Sequence, residues 1–282
     1  MSEILNLEIN QTQLRVYSED RYESSTSSKG NQIKWVRDCL WVKADTLGYE
    51  GLAECVASQL AHHTNIGDFA SITDYTLCKI SEGDYGRSIA NTYVGCYSEN
   101  FLKHGETLVT LNRIIEAETG DTFRAFTDKL STEDRIIRTV ELIKKVTGIF
   151  NYGEWLTCLL EWDMLIFNED RHEHNIAFVK NERGEYRLMP LFDNGAGFFS
   201  DTRIDYSLDK SITECEKKIK SKPFSTDFHK QVKACRNLYG TQLKLNFDSI
   251  ENVTLSSNLY DNKIALRILN ILKRGMRRIY HV

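Results

Sequence analysis

The sequence predicts an α+β fold of two unequal lobes, a small β-rich one followed by a larger helical one. Three observations carry this expectation. Short β-prone runs concentrate in the first hundred residues, helical spacing dominates after residue 102, and one polar hairpin interrupts the helical part. In the first part, residues 33–44 alternate loosely and are rich in Trp and Val, and residues 75–80 and 89–97 carry similar runs. One helix is expected among them, over 49–63, because Leu52, Val56 and Leu60 recur every four residues and build one apolar stripe.

Beyond residue 102, helical spacing predicts helices over 106–117, 132–146, 152–167 and 262–279. Ser131, Thr132 and Asp134 supply N-cap chemistry for the second of these. Between the third and the last, two short strands are expected at 176–179 and 186–192. They are joined by the polar, Gly184-containing stretch 180–185. Residues 195–223 show no clear period and are rich in Asp, Ser and Lys, long for a loop in a compact domain and therefore a candidate functional segment. The division expected is a first lobe over 1–101 and a second over 102–282.

Composition narrows the function classes. Hydrophobic residues make up 41% and charged residues 27% of 282, the balance of a globular protein rather than a disordered one. A net charge of -4 argues against a general nucleic-acid binder, so no direct DNA binding is expected. The seven cysteines are scattered and contain no Cys-x-x-Cys pair, which argues against a zinc site or a disulfide framework and for a reducing compartment. The N-terminal residues lack a signal-peptide pattern, and no run approaches the roughly 18 apolar residues of a membrane span. A cytoplasmic protein is expected, with secretion by a signal-free route left open.

The chemistry-bearing residues lie where the long apolar run 155–167 stops at Asn168-Glu169-Asp170-Arg171-His172-Glu173-His174-Asn175. Phosphoryl transfer needs a carboxylate to position a hydroxyl and take its proton, and oxygen ligands for a metal ion. Asp170 and Asn175 have the Asp-x-x-x-x-Asn spacing of a kinase catalytic loop. Asp193 follows the next hairpin and precedes Asn194-Gly195, so a carboxylate at a strand end and Asn175 across the hairpin can face one Mg²⁺. Their oxygen atoms suit Mg²⁺ better than Zn²⁺, so His172 and His174 are not read as zinc ligands.

The stretch 167–175 together with Pro190-Leu191-Phe192-Asp193-Asn194-Gly195 resembles the kinase domain of the HipA-like serine/threonine kinases, closest to the short, stand-alone CtkA type. The core Asp170-Arg171-His172-x-x-Asn175 is also similar to phosphoinositide kinases, in which the histidine matching His172 is implicated in catalysis. The resemblance implies a two-lobed protein-kinase-like fold and ATP with Mg²⁺ as cofactors. It implies Asp170 and His172 as catalytic residues and Asn175 and Asp193 as metal ligands.

For the first lobe, the resemblance calls for a strand lysine on the phosphates and a helix glutamate beside it. Lys43 fills the first role and Glu54 the second, with Glu50 one turn earlier as the alternative. Glu99 and Phe101 match the family's adenine-binding lobe junction. The serine-rich stretch 24–34 stands where the family keeps its phosphate loop, with Ser28 and Gly30 as the contacts and Ser27 or Ser28 as candidates for autophosphorylation. It has neither Gly-x-Gly-x-x-Gly nor a P-loop pattern. The lysines at 217, 218, 220 and 222 lie where a substrate segment would be held, or form a solvated helix face.

The function implied is transfer of the ATP γ-phosphoryl group to a Ser or Thr hydroxyl of a protein partner. Two alternatives stand beside it: a phosphoinositide or small-molecule kinase on the same fold, and a weakly active nucleotide-binding module of a toxin–antitoxin pair.

Overall fold

The computed structural model describes residues 6–22, 32–84, 89–245 and 253–280. The smaller lobe is built on five strands: β2 (Gln11–Tyr17), β3 (Lys34–Arg37), β4 (Leu40–Ala44), β5 (Thr76–Gly83) and β6 (Ile89–Glu99). Their order is β2-β5-β6-β4-β3; β2 runs parallel to β5 and the other pairs are antiparallel. The single β-prone run expected over 33–44 is two strands, β3 and β4. A tight turn separates them, in which Asp38 takes a left-handed φ of 53°, a conformation to which Asp is better suited than most residues.

The sheet buries both faces. Val16, Trp35, Val42, Ala44, Cys78 and Ile80 form a small core on one side. Leu77 and Cys96 face the other side, where helix α1 (Glu50–Ala61) joins the main core. The helix lies close because Gly51 has no side chain; a Cβ there would stand 2.8 Å from the Gly95 carbonyl carbon.

The larger lobe holds helices α2 (Leu111–Thr119), α3 (Phe123–Phe126), α4 (Thr132–Thr147), α5 (Tyr152–Ile166), α6 (Ile212–Lys218), α7 (Phe228–Tyr239) and α8 (Asn262–Tyr280). Its central rod is α5, buried along its length and flanked by α4, α7 and α8. The cap of α4 is the expected one, Ser131 Oγ accepting the Asp134 N–H. An antiparallel sheet of β7 (Thr107–Thr110), β8 (Ala177–Lys180) and β9 (Tyr186–Leu188) covers one end.

Two local expectations change here. The helix read over 106–117 begins only at Leu111. Thr107, Val109 and Thr110 are β-branched and pair with β8 instead, after which Thr110 turns to cap α2 through its hydroxyl. The stretch 195–223 is not loop throughout, since Ser211 and Glu214 form a capping box that starts α6.

Away from the cleft, β1 (Asn6–Ile9) lies parallel to β10 (Thr254–Ser257), and Leu7 and Ile9 enter the main core with residues of α1 and α8. The loop after α1 also meets the segment after α7: Thr64 bridges Leu245, and Asn65 exchanges hydrogen bonds with Lys244.

Candidate active site

Strand alternation places the first residue of the site. Val42 and Ala44 fill the outer core of the sheet, so Lys43 between them points to the opposite face, toward α1. There its ammonium lies 2.6 Å from Glu54 Oε1 and 2.8 Å from Asp193 Oδ1. It also donates to the Tyr75 hydroxyl at 3.4 Å. Burial would lower the Lys43 pKa, but Asp193 and Glu54 outweigh it and hold the amine well above its usual range. The same pair acts on Asp193: burial pushes its carboxyl up, and Lys43, with Lys34 and Arg171 adding to it, pulls it well below the usual carboxylate range. Both partners are ionised at neutral pH.

Glu54 is 1% exposed, and a buried carboxylate needs partners at both oxygens. Oε1 takes Lys43, and Oε2 accepts the N–H of Asn194 at 2.7 Å. One side chain on α1 therefore joins a strand of the small lobe to the Asp193–Asn194 segment of the large one. Glu50 is placed differently: its carboxylate accepts the N–H groups of Thr46, Leu47 and Gly48 and closes the turn before α1. Lys43, Glu54 and Asp193 are brought together; Glu50 is not among them.

The loop 168–175 lies against this cluster. The Asp170 N–H donates to Asn168 Oδ1 at 3.2 Å, and Asn168 Nδ2 reaches the Asp193 carbonyl at 3.4 Å. Asn175 Nδ2 donates to the Asp170 carbonyl at 2.8 Å, so of its two amide atoms it is the oxygen that could serve a cation. His172 is 7% exposed, and burial lowers its pKa, so the ring is neutral at pH 7. Its Nδ1 accepts the His174 N–H at 3.1 Å, which assigns the ring proton to Nε2, the nitrogen 3.9 Å from Asp170 Oδ2.

Arg171, fully buried beside Asp170, fixes the loop. It pairs with Asp163 on α5 at 3.1 Å and donates to the Phe192 carbonyl at 2.9 Å and to Asn194 Oδ1 at 3.0 Å. It thereby locks the loop to the helix before it and to the Asp193 segment after it. Asp193 itself has a φ of 57°, a conformation rare for residues other than glycine and one that such fixed surroundings sustain.

Glu99 ends β6, exposed at the passage between lobes, and the Phe101 ring lies 5.4 Å from that of Phe192, one residue before Asp193. Ser27, Ser28 and Gly30 lie outside the described residues. Next to them, Gln32 Nε2 donates to the Ala44 carbonyl, and Lys34 stands opposite Lys43 in the β3–β4 ladder.

The likeness to known structures follows this geometry. The structure of the Helicobacter pylori proinflammatory kinase CtkA aligns with a TM-score of 0.59 at 17% identity, covering 92% of each chain. A chain of the Shewanella oneidensis toxin–antitoxin complex of HipA, HipB and operator DNA aligns at 0.42 and 11% identity, covering 92% of this chain and 62% of that one. No family model and no curated protein matches the sequence. The chain has an α+β, two-lobed, kinase-like fold, the fold it shares with that CtkA structure. Among the described residues no helix is long and apolar enough to cross a membrane.

Three participants in the cluster escape a reading of motifs. Tyr75 is a strand-edge tyrosine by sequence, and Lys34 is one lysine among many. Asp163 did leave a signal, because a carboxylate inside the apolar run 155–167 must have a buried partner.

Proposed function

We propose that the chain is an ATP- and Mg²⁺-dependent protein kinase of the CtkA type within the HipA-like family, acting on Ser or Thr hydroxyls of a protein and on itself. The observation that supports this best is the ammonium of Lys43 held between Glu54 and Asp193, with Asp170 and Asn175 on the adjoining loop. Those residue types in that order along the chain are what phosphoryl transfer from a nucleotide needs. Tight ion pairs alone do not require this function, but an ionised carboxylate, a neutral amide oxygen and a fixed ammonium together form an oxygen-rich, cation-balanced donor set that fits Mg²⁺ with a triphosphate.

In this reading Asn175 and Asp193 hold Mg²⁺, which neutralises charge on the phosphate oxygens when bound. Lys43 turns from Asp193 to the phosphates, and Glu54 keeps it extended. Glu99 and Phe101 seat the adenine, while Ser28 and Gly30 cover the phosphates. Asp170 orients the acceptor hydroxyl and takes its proton, and the neutral His172 donates its Nε2–H beside it. The acceptor oxygen forms a bond to the γ-phosphorus as the bond to the bridging oxygen breaks, and ADP leaves with that electron pair.

The test is incubation with γ-labelled ATP and Mg²⁺, followed by mass spectrometry of the protein. Separate arms contain a Ser/Thr peptide library and phosphoinositide vesicles. Label on Ser27 or Ser28 and on library peptides is expected, reduced about 10²–10⁴-fold by Asp170→Asn or Asp193→Asn. Label confined to the vesicles would replace the protein substrate by a lipid; near-normal transfer by Asp170→Asn would overturn the assignment of the base.

A further inference from the structure

We infer that Lys222 is a positioning residue for phosphoryl transfer, acting through Asp170; the inference rests on the kinase reading above. The Lys222 ammonium lies 2.9 Å from Asp170 Oδ1, 52 positions away in sequence. With the two side chains 38% and 17% exposed, such a pair adds little to stability. Its backbone, however, is held with unusual care.

Gln231 on α7 is fully buried, and its amide is used on both sides. Nε2 donates to the Lys222 carbonyl at 3.0 Å, while Oε1 accepts the N–H groups of Phe224 at 2.9 Å and Ser225 at 3.2 Å. Ser221 closes the same loop, its hydroxyl donating to the Ser225 carbonyl at 2.7 Å and its N–H to the Thr226 carbonyl at 3.1 Å. Phe224, 1% exposed, anchors the loop against Phe123. A buried amide committed to three backbone groups fixes where a half-exposed lysine begins, and that lysine ends on the carboxylate proposed as the base.

The chemical consequence concerns the two oxygens of Asp170. Lys222 engages Oδ1 and stops the carboxylate from rotating, so Oδ2, the oxygen beside His172 Nε2, is presented to the acceptor hydroxyl whose proton it takes. Fixing the base in this orientation acts on the rate of transfer and not on nucleotide affinity. Of the neighbouring lysines, Lys218 pairs with Asp205 at 2.5 Å, and Lys217 is exposed on α6.

The experiment compares Lys222→Met, Lys222→Arg and Lys217→Met with the wild-type chain, using γ-labelled Mg-ATP and a Ser/Thr peptide library. Lys222→Met should lower kcat at least tenfold with the KM for ATP within twofold and an unchanged thermal shift by Mg-ATP. Lys222→Arg should recover part of that loss, and Lys217→Met should behave as wild type. A wild-type kcat in Lys222→Met overturns the inference while leaving the kinase reading intact if Asp170→Asn is inactive. Equal losses in Lys217→Met and Lys222→Met also overturn it, since bulk charge would then explain both. No transfer by the wild-type chain overturns the kinase reading and this inference together.

Discussion

Single residues in this protein show how far a buried charge depends on its partner. Asp163 and Arg171 are both inaccessible, and each satisfies the other. Asp163→Ala would leave the guanidinium buried without its counter-charge, and a loss of about 3–5 kcal/mol is expected in urea denaturation. Asp45 makes the opposite case. Burial pushes its carboxyl up to about 7, and Glu50 adds to that, although the Tyr260 hydroxyl, the Gly51 N–H and Arg203 favour the ionised form. A folded-state pKa above the unfolded one means the native state holds the proton longer. The Asp45 contribution to stability is therefore fully present below about pH 4 and falls as pH rises to about 7. The stability of the wild-type chain relative to Asp45→Asn should fall across that window by on the order of 2–4 kcal/mol, read from denaturation midpoints at several pH values.

At the scale of elements, glycine decides how α8 meets α5. A Cβ on Gly275 would stand 2.2 Å from the Leu165 carbonyl oxygen. Gly275→Ala gains about 1 kcal/mol of helix propensity but must push two packed helices apart, so a net loss of about 1–3 kcal/mol is expected by chemical denaturation. Elements also show what was legible in the sequence. The four-residue stripe of α1 and the largely apolar run of α5 are regular enough to read directly. Helix α7 is not, because its buried face is Phe228, Gln231, Val232, Ala234 and Cys235, and a buried Gln breaks the apolar stripe. The strand β7 hides for another reason: Leu108 and Leu111 continue a helical period into residues that pair with β8. Within the site, the spacing of Asp170, Asn175 and Asp193 is local and visible. The contacts of Lys43, Tyr75 and Lys222 depend on folding across 150, 118 and 52 positions, and no local pattern carries them.

At the scale of the whole molecule, Glu54 joins the small lobe to the Asp193–Asn194 segment of the large one. Glu54→Ala removes the acceptor of the Asn194 N–H and one partner of Lys43. Hydrogen exchange at Asn194 and over residues 46–54 should then quicken about tenfold or more, with α4 and α5 unchanged. A uniform rise in exchange would show instead that the variant is globally destabilised. A second clasp flanks this one, where Tyr49 donates to the Ser200 carbonyl and Arg203 donates to the Leu47 carbonyl.

The parallel pairing of β1 with β10 has a mechanical meaning. It fastens the back of the molecule at a place remote in sequence from the passage at Glu99–Phe101, and the Thr64–Leu245 bridge lies with it. The segment leading into β2 and the segment leading into α8 are thereby joined to each other independently of the contacts that Lys43 and Glu54 make at the site.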